Sequence, residues 1–137
     1  MEFVLLKKKD IDSYINLIKN VFGYEAKIED IEKQIKKTKT IIAKEEDKVI
    51  GSATLELSND YIKNKKYYKV EYFGVLSTYR RIGVATKIQQ KIDELCIKND
   101  IDYIELTSGN HRTGAHEFYK RNDFKIKDTS VFIKIYK

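Results

Sequence analysis

The stretch YRRIGVAT, Tyr79 to Thr86, carries residue types that bind phosphate. Arg80, Arg81 and Lys87 bring full positive charges to one short segment. Gly83 lets a backbone approach a ligand with no Cβ in the way, and Ala85 keeps the next turn small. The residues before the stretch read as a strand and those after it as a helix. The first N–H groups of a helix have no partner inside it and carry partial positive charge. Phosphate oxygens satisfy them, so a pyrophosphate is the ligand this loop suits. An ordinary strand-to-helix turn is the competing reading of the same residues. Neither G-x-x-x-x-G-K-[ST] nor G-x-G-x-x-G occurs, so neither a P-loop nor a dinucleotide fold accounts for it.

Other residues able to do chemistry are few. His111, His116 and the single cysteine, Cys96, are too scattered for a structural zinc site, and one cysteine excludes an internal disulfide framework. Cys96 falls on the apolar side of a long predicted helix. His116 reads as a packing or hydrogen-bonding residue, and His111 as a loop residue able to line a pocket.

The elements that must position the loop follow from periodicity. Glu2–Leu6 is a short apolar run with a strand-like start. Ile11, Tyr14, Ile15, Ile18, Val21 and Phe22 recur at helical spacing, and Gly23 is a stop. Ile28, Ile31 and Ile35 mark a second helix. TIIAKEEDKVIGSATLELS reads as a β-hairpin turning near Glu46–Lys48. NDYIKNKK is a polar connection. YYKVEYFGVLS is a strand with Gly74 inside it, which marks a bulge or a place where something approaches the backbone closely. From Ile82 the period is helical, with Ile82, Ala85, Ile88, Ile92 and Leu95 on one face. DYIELTS is a strand, RTGAHEFYKRN a short helix, and FKIKDTSVFIKIY a closing hairpin. This order predicts a mixed α/β sheet covered by helices.

The chain has 137 residues, enough for one domain over 1–137 with a real core. Hydrophobic residues make up 42%, which excludes a disordered class. No apolar run approaches the length that spans a bilayer, and the N-terminus has no secretory pattern, so no membrane partner is expected. A cytoplasmic, reduced, metal-free protein is the expectation. The net charge of +6 invites a nucleic-acid reading. Many of the lysines alternate with acids along helix faces, which favours solvated surface and makes nucleic acid the weaker partner.

VEYFGVLSTYRRIGVATKI resembles the central motif of the GNAT acyl-CoA-dependent N-acyltransferases, through Val75, Arg80, Gly83 and Ala85. IELTSGNHRTGAHEFYKRNDF resembles that family's downstream strand and helix, through Ala115, Phe118, Tyr119 and Phe124. The two segments stand in the family's order and at its separation. Arg81 stands where a glycine is common, Ser77 where a proline is common, and Asp123 replaces a glycine before Phe124. Arg112 sits where many members have a cofactor-contacting asparagine.

The resemblance implies a single-domain α/β fold: a mostly antiparallel mixed sheet with a central splayed parallel strand pair, flanked by about four helices. It implies acetyl-CoA as co-substrate, lying between strands at about Val70–Leu76 and Ile101–Thr107. The backbone of Phe73, Gly74 and Val75 would pair with pantetheine. The N–H groups of Arg81, Ile82, Gly83, Val84, Ala85 and Thr86 would meet the pyrophosphate. Arg80, Arg112 and Ala115 complete the implied cofactor set. A backbone N–H near Val75 would polarise the thioester carbonyl. Tyr119 would protonate the leaving thiolate, and Glu71 would bind or deprotonate the amine. The implied activity is direct acetyl transfer to a primary amine in a ternary complex. Small-molecule amines and protein amines both stay open as acceptors, and dimers are frequent in the family. A catalytically silent acyl-CoA-binding module and a basic nucleic-acid-binding domain are the alternatives.

Overall fold

The computed structural model describes residues 1–137, which divide into two compact units, Met1–Thr107 and Ser108–Lys137. In the first unit the elements are β1 (Glu2–Leu5), α1 (Ile11–Phe22), α2 (Ile28–Gln34), β2 (Lys39–Glu45), β3 (Lys48–Asp60), β4 (Lys65–Val75), α3 (Val84–Lys98) and β5 (Tyr103–Glu105). The five strands form one sheet in the order β1-β2-β3-β4-β5. Every neighbouring pair is antiparallel except β4 and β5, which run parallel. The second unit carries α4 (Thr113–Arg121).

The sheet is covered on both faces of the first unit. Strand side chains alternate between faces, and two glycines show which helix takes which. Gly74 faces α1, where a Cβ would sit 2.7 Å from Val21 and 2.8 Å from Phe22. Gly51, one position along from the cross-strand partner of Gly74, faces α3, where a Cβ would meet Ile88 and Val84 at 3.2 and 3.3 Å. On the α1 face Leu6, Ile11, Tyr14, Leu17, Ile18, Ile31, Ile42 and Val49 form one buried cluster. Gly23 ends α1 in the left-handed conformation (φ 79°), and its N–H bonds the Lys19 carbonyl, the closure a glycine best permits. Asp10 opens α1 from beneath. Its carboxylate is buried and ion-paired to the buried ammonium of Lys44 on β2, at 2.7 Å.

Several sequence expectations are corrected. The polar connection at Asn59–Lys66 is half ladder: β3 and β4 stay paired to Asp60↔Lys65, and only Tyr61–Asn64 turn. Asp60 makes this turn tight by accepting the N–H groups of Ile62 and Lys63 at 3.2 and 3.1 Å, a local mimic of backbone pairing. Ile82 precedes α3 and is 65% exposed. The helix instead buries Val84, Ile88, Gln89 and Ile92. The closing hairpin does not form. Residues 124–137 contain no strand, and Val131, Phe132, Ile133 and Tyr136 are exposed. Alternation of apolar residues is not enough by itself to make a hairpin, because an isolated two-stranded hairpin is marginal in water.

Candidate functional site

The site is built at the C-terminal end of β4. Between Ser52↔Gly74 and Thr54↔Glu71 the β3–β4 register slips, so Tyr72 and Phe73 oppose Ala53 alone. Tyr72 is the residue that bends, with φ 50°. Its carbonyl accepts the Ser52 hydroxyl at 3.1 Å, and its ring meets Phe22 edge-on at 5.3 Å. Of the two readings the sequence allowed at Gly74, the close approach is the one that holds: the glycine leaves room for α1, and a tyrosine held from both sides takes the left-handed conformation of the bulge.

On its other side β4 pairs with β5 through Tyr67↔Tyr103, Tyr68↔Ile104 and Lys69↔Glu105. This ladder stops short of Val75, toward the end where the two strands are expected to splay. The Leu76 N–H bonds the Ile50 carbonyl at 2.8 Å. Antiparallel pairs alternate between bonded and non-bonded, so Val75, at the next position, turns its own N–H and C=O toward the open side. Arg80 Nε donates to that carbonyl at 3.2 Å. The Val75 N–H is left facing the gap.

The strand leads straight into the loop. A short 3-10 turn at Ser77–Tyr79 is followed by Arg80, and Arg81 adopts φ 65°. The backbone at Arg81 thus uses the left-handed conformation that glycine supplies without strain. Gly83 caps α3 at φ 86°, with open space where a Cβ would stand. The N–H groups of Val84, Ala85 and Thr86 have no carbonyl one turn back inside the helix. No side chain caps them, and no acid lies in that turn. Arg80 and Arg81 flank this end. Lys87 does not join them, because its ammonium leans over the Phe3 ring, 5.8 Å from the centroid. The donors at the start of α3 suit an anionic group at the end of a ligand that lies along β4.

Glu71 is exposed and pairs across the ladder with Thr54, on the sheet face that α1 covers. Three hydroxyls stand beside it that the sequence did not single out. Thr54 and Thr40 are hydrogen-bonded through their hydroxyls at 2.9 Å, and the Tyr14 hydroxyl engages both. Burial pushes the Tyr14 phenol above its ordinary value, against the lowering effect of the Thr54 hydrogen bond. Tyr14 sits in the apolar stripe of α1, so its sequence signal is that of a core residue.

In the second unit Arg112, Ala115 and Tyr119 fall three and then four residues apart, on one face of α4. Tyr119 is half-buried, with Phe118 at 5.8 Å and Phe124 at 5.3 Å between ring centroids. Burial pushes its phenol above the ordinary value, partly offset by the Arg112 charge, so it carries its proton at neutral pH. His111 folds over Gly109, where its Cε1 lies 2.8 Å from the position of an added Cβ. The His116 N–H bonds the Arg112 carbonyl inside the helix start. Burial pushes the Cys96 thiol up to about 11, with Asp93 adding to the shift, which leaves it a poor nucleophile.

Residues 11–124 match the family model described as the Acetyltransferase (GNAT) family. This chain belongs to the GNAT acetyltransferase family. The central and downstream motifs both lie inside the matched span. Among curated GNAT relatives, the chain is 33% identical over 84 residues to "Probable N-acetyltransferase san" of Drosophila melanogaster. The match takes in 61% of this chain and 45% of that protein, so the chain spans less than half of that relative's length. The GNAT fold recurs in solved structures at low identity. The ribosomal-protein-alanine N-acetyltransferase of Brucella melitensis biovar Abortus 2308 superposes with a TM-score of 0.83 at 12% identity, over 98% of this chain and all of the other. The aminoglycoside N-acetyltransferase AAC(6')-Iy, solved in complex with CoA, gives 0.82 at 16% identity over 98% and 99% of the two chains. No helix of this GNAT chain is long and apolar enough to cross a membrane.

Proposed function

We propose that this protein transfers an acetyl group from acetyl-CoA to a primary amine by direct attack in a ternary complex. The observation that carries the reading is the continuity of two features: the β4–β5 ladder that ends at Lys69, short of Val75, and the uncapped start of α3 that follows β4. Pantetheine amides pair along Phe73, Gly74 and Val75 as an added strand. The pyrophosphate sits on the N–H groups from Arg81 to Thr86, between the charges of Arg80 and Arg81. Arg112 and Ala115 complete the cofactor contacts from α4. The CoA complex of the aminoglycoside N-acetyltransferase, whose fold this chain shares, supports this ligand.

In the reaction the amine nitrogen forms a bond to the thioester carbonyl carbon and the carbon–sulfur bond breaks. Glu71 takes the proton that the nitrogen must lose. The Val75 N–H stabilises the carbonyl oxygen as charge develops on it. Tyr119 gives the departing sulfur its proton. The depressed reactivity of Cys96 supports direct transfer over an acyl-cysteine route. The amine belongs to a small molecule or a protein terminus, and the protein works in the cytoplasm, as a single domain that can form a homodimer.

The test begins with thermal unfolding with and without acetyl-CoA. At about a hundred times its dissociation constant a ligand stabilises the fold by roughly 2.7 kcal/mol. Wild type gains that shift and a folded Gly83→Glu does not. An equal shift in both proteins rules out the α3 loop as the pyrophosphate site. Thiol release across an amine panel then reports transfer, and Tyr119→Phe loses nearly all of it while still binding acetyl-CoA. An unchanged rate in Tyr119→Phe removes the acid role.

A further inference from the structure

The far end of the sheet holds a second concavity, on the α3 face and away from the loop. It has a volume of about 300 Å³, at the lower edge of small-ligand sites. Leu55, Leu57, Tyr68 and Ile101 supply its apolar surface, and Lys37, Lys39 and Lys66 surround it. It lies beyond the last turn of α3, where the helix no longer covers β3 and β4. Lys66 is nine residues before Val75 on β4, so about 30 Å of strand separates this hollow from the phosphate loop. Lys66, Tyr68 and Val70 alternate with Tyr67, Lys69 and Glu71, so the hollow and Glu71 are on opposite faces of the sheet.

Its chemistry is that of a site for an anion with an apolar body. None of the three lysines is ion-paired. The nearby acid Asp102 is already engaged, its carboxylate accepting the main-chain N–H of Lys66 at 2.8 Å. The Tyr68 hydroxyl is buried and accepts the Asn99 amide at 3.2 Å, which leaves its own O–H to donate. Leu57 stays 56% exposed beside these charges. An apolar ligand would leave three clustered ammoniums uncompensated, and a bare ion would leave Leu57 and Ile101 in water. We infer that the hollow bounded by Lys37, Lys39, Lys66, Tyr68 and Leu57 binds a small amphiphilic anion: one carboxylate or phosphate on an apolar chain or ring. The site is separate from the acetyl-transfer machinery and its occupancy does not depend on that reading.

Octanoate is the probe, titrated into the full chain and followed by amide NMR shifts. Saturable shifts are expected at Leu57, Tyr68, Asn99 and Ile101, with none at Gly83 or Ala85. The Lys39→Glu, Lys66→Glu pair weakens octanoate tenfold or more and leaves acetyl-CoA binding unchanged. Arg81→Glu does the reverse. If the charge-reversed pair fails to fold, Lys39→Ala, Lys66→Ala gives the same ordering with a smaller loss. Equal binding of octylammonium overturns the proposal, as do shifts confined to the exposed apolar residues of 124–137. The absence of any saturable shift at 10 mM octanoate also overturns it.

Discussion

Gly74 is where one hydrogen atom decides the shape of the site. An added Cβ would meet Val21 Cγ1 and Phe22 Cζ well inside contact distance. Phe22 in turn holds Tyr72 edge-on, and Tyr72 makes the bulge. Gly74→Ala is therefore expected to push α1 away from β4 and destabilise the protein by about 1–3 kcal/mol, the ordinary range for overpacking. A urea midpoint equal to that of wild type would show that α1 yields without cost. Gly83 is the contrasting case. It has space for a side chain but a backbone angle that other residues adopt only under strain. The two glycines look alike in sequence. Only the geometry separates a glycine that makes room from one that makes a turn. For the same reason Tyr72 was invisible as the bulge residue, since nothing in YFGV marks a tyrosine for positive φ.

At the scale of elements, the Asp10–Lys44 pair ties the start of α1 to β2. Both side chains are buried, so each charge depends on the other. Asp10→Leu and Lys44→Met should each destabilise more than the two together, because each single change strands a buried charge. Chemical denaturation of the three variants checks this. Additive losses would mean that the pair is not coupled. The elements themselves were largely legible. Helix α1 was marked by its 3.6-residue stripe and its glycine stop, and the β2–β3 hairpin by two β-branched runs around an acidic turn. The loop between β4 and α3 was legible because a glycine and arginines fall between two changes of period. Two elements were misread for one reason. NDYIKNKK is polar but paired at both ends, and FKIKDTSVFIKIY alternates but forms no strand. Whether a strand forms depends on a neighbour, and local pattern does not encode the neighbour.

Across the whole molecule, the groups with resolved shifts all move the same way. Cys96 is raised from 9.0 to about 11, and Tyr14, Tyr119 and Lys44 are raised as well. A group whose folded value lies above its unfolded value holds its proton more tightly in the folded state. Its contribution is complete below the unfolded value and is lost as pH rises past it. Stability should therefore fall on the alkaline side, beginning near pH 9 with Cys96 and continuing above 10 with the tyrosines and Lys44. Urea midpoints at increasing pH would show this, and Cys96→Ala should delay the onset. A flat profile to pH 11 would contradict it.

The brevity of the β4–β5 ladder has a consequence in time. Strands β2, β3 and β4 are joined by short turns, and their pairing closes small loops. The β4–β5 pairing joins residues 36 apart, Tyr67 to Tyr103, and rests on three residue pairs at the sheet edge. Closing that longer loop costs more chain entropy for fewer contacts. This ladder should form last in folding and be the first to open in the native state. Amides of Tyr103–Glu105 should then exchange with solvent sooner than those of Ile41–Ala43, and equal protection would refute the order. The gap beside β4 can thus widen by a local excursion of one strand while β1 to β4 stay intact.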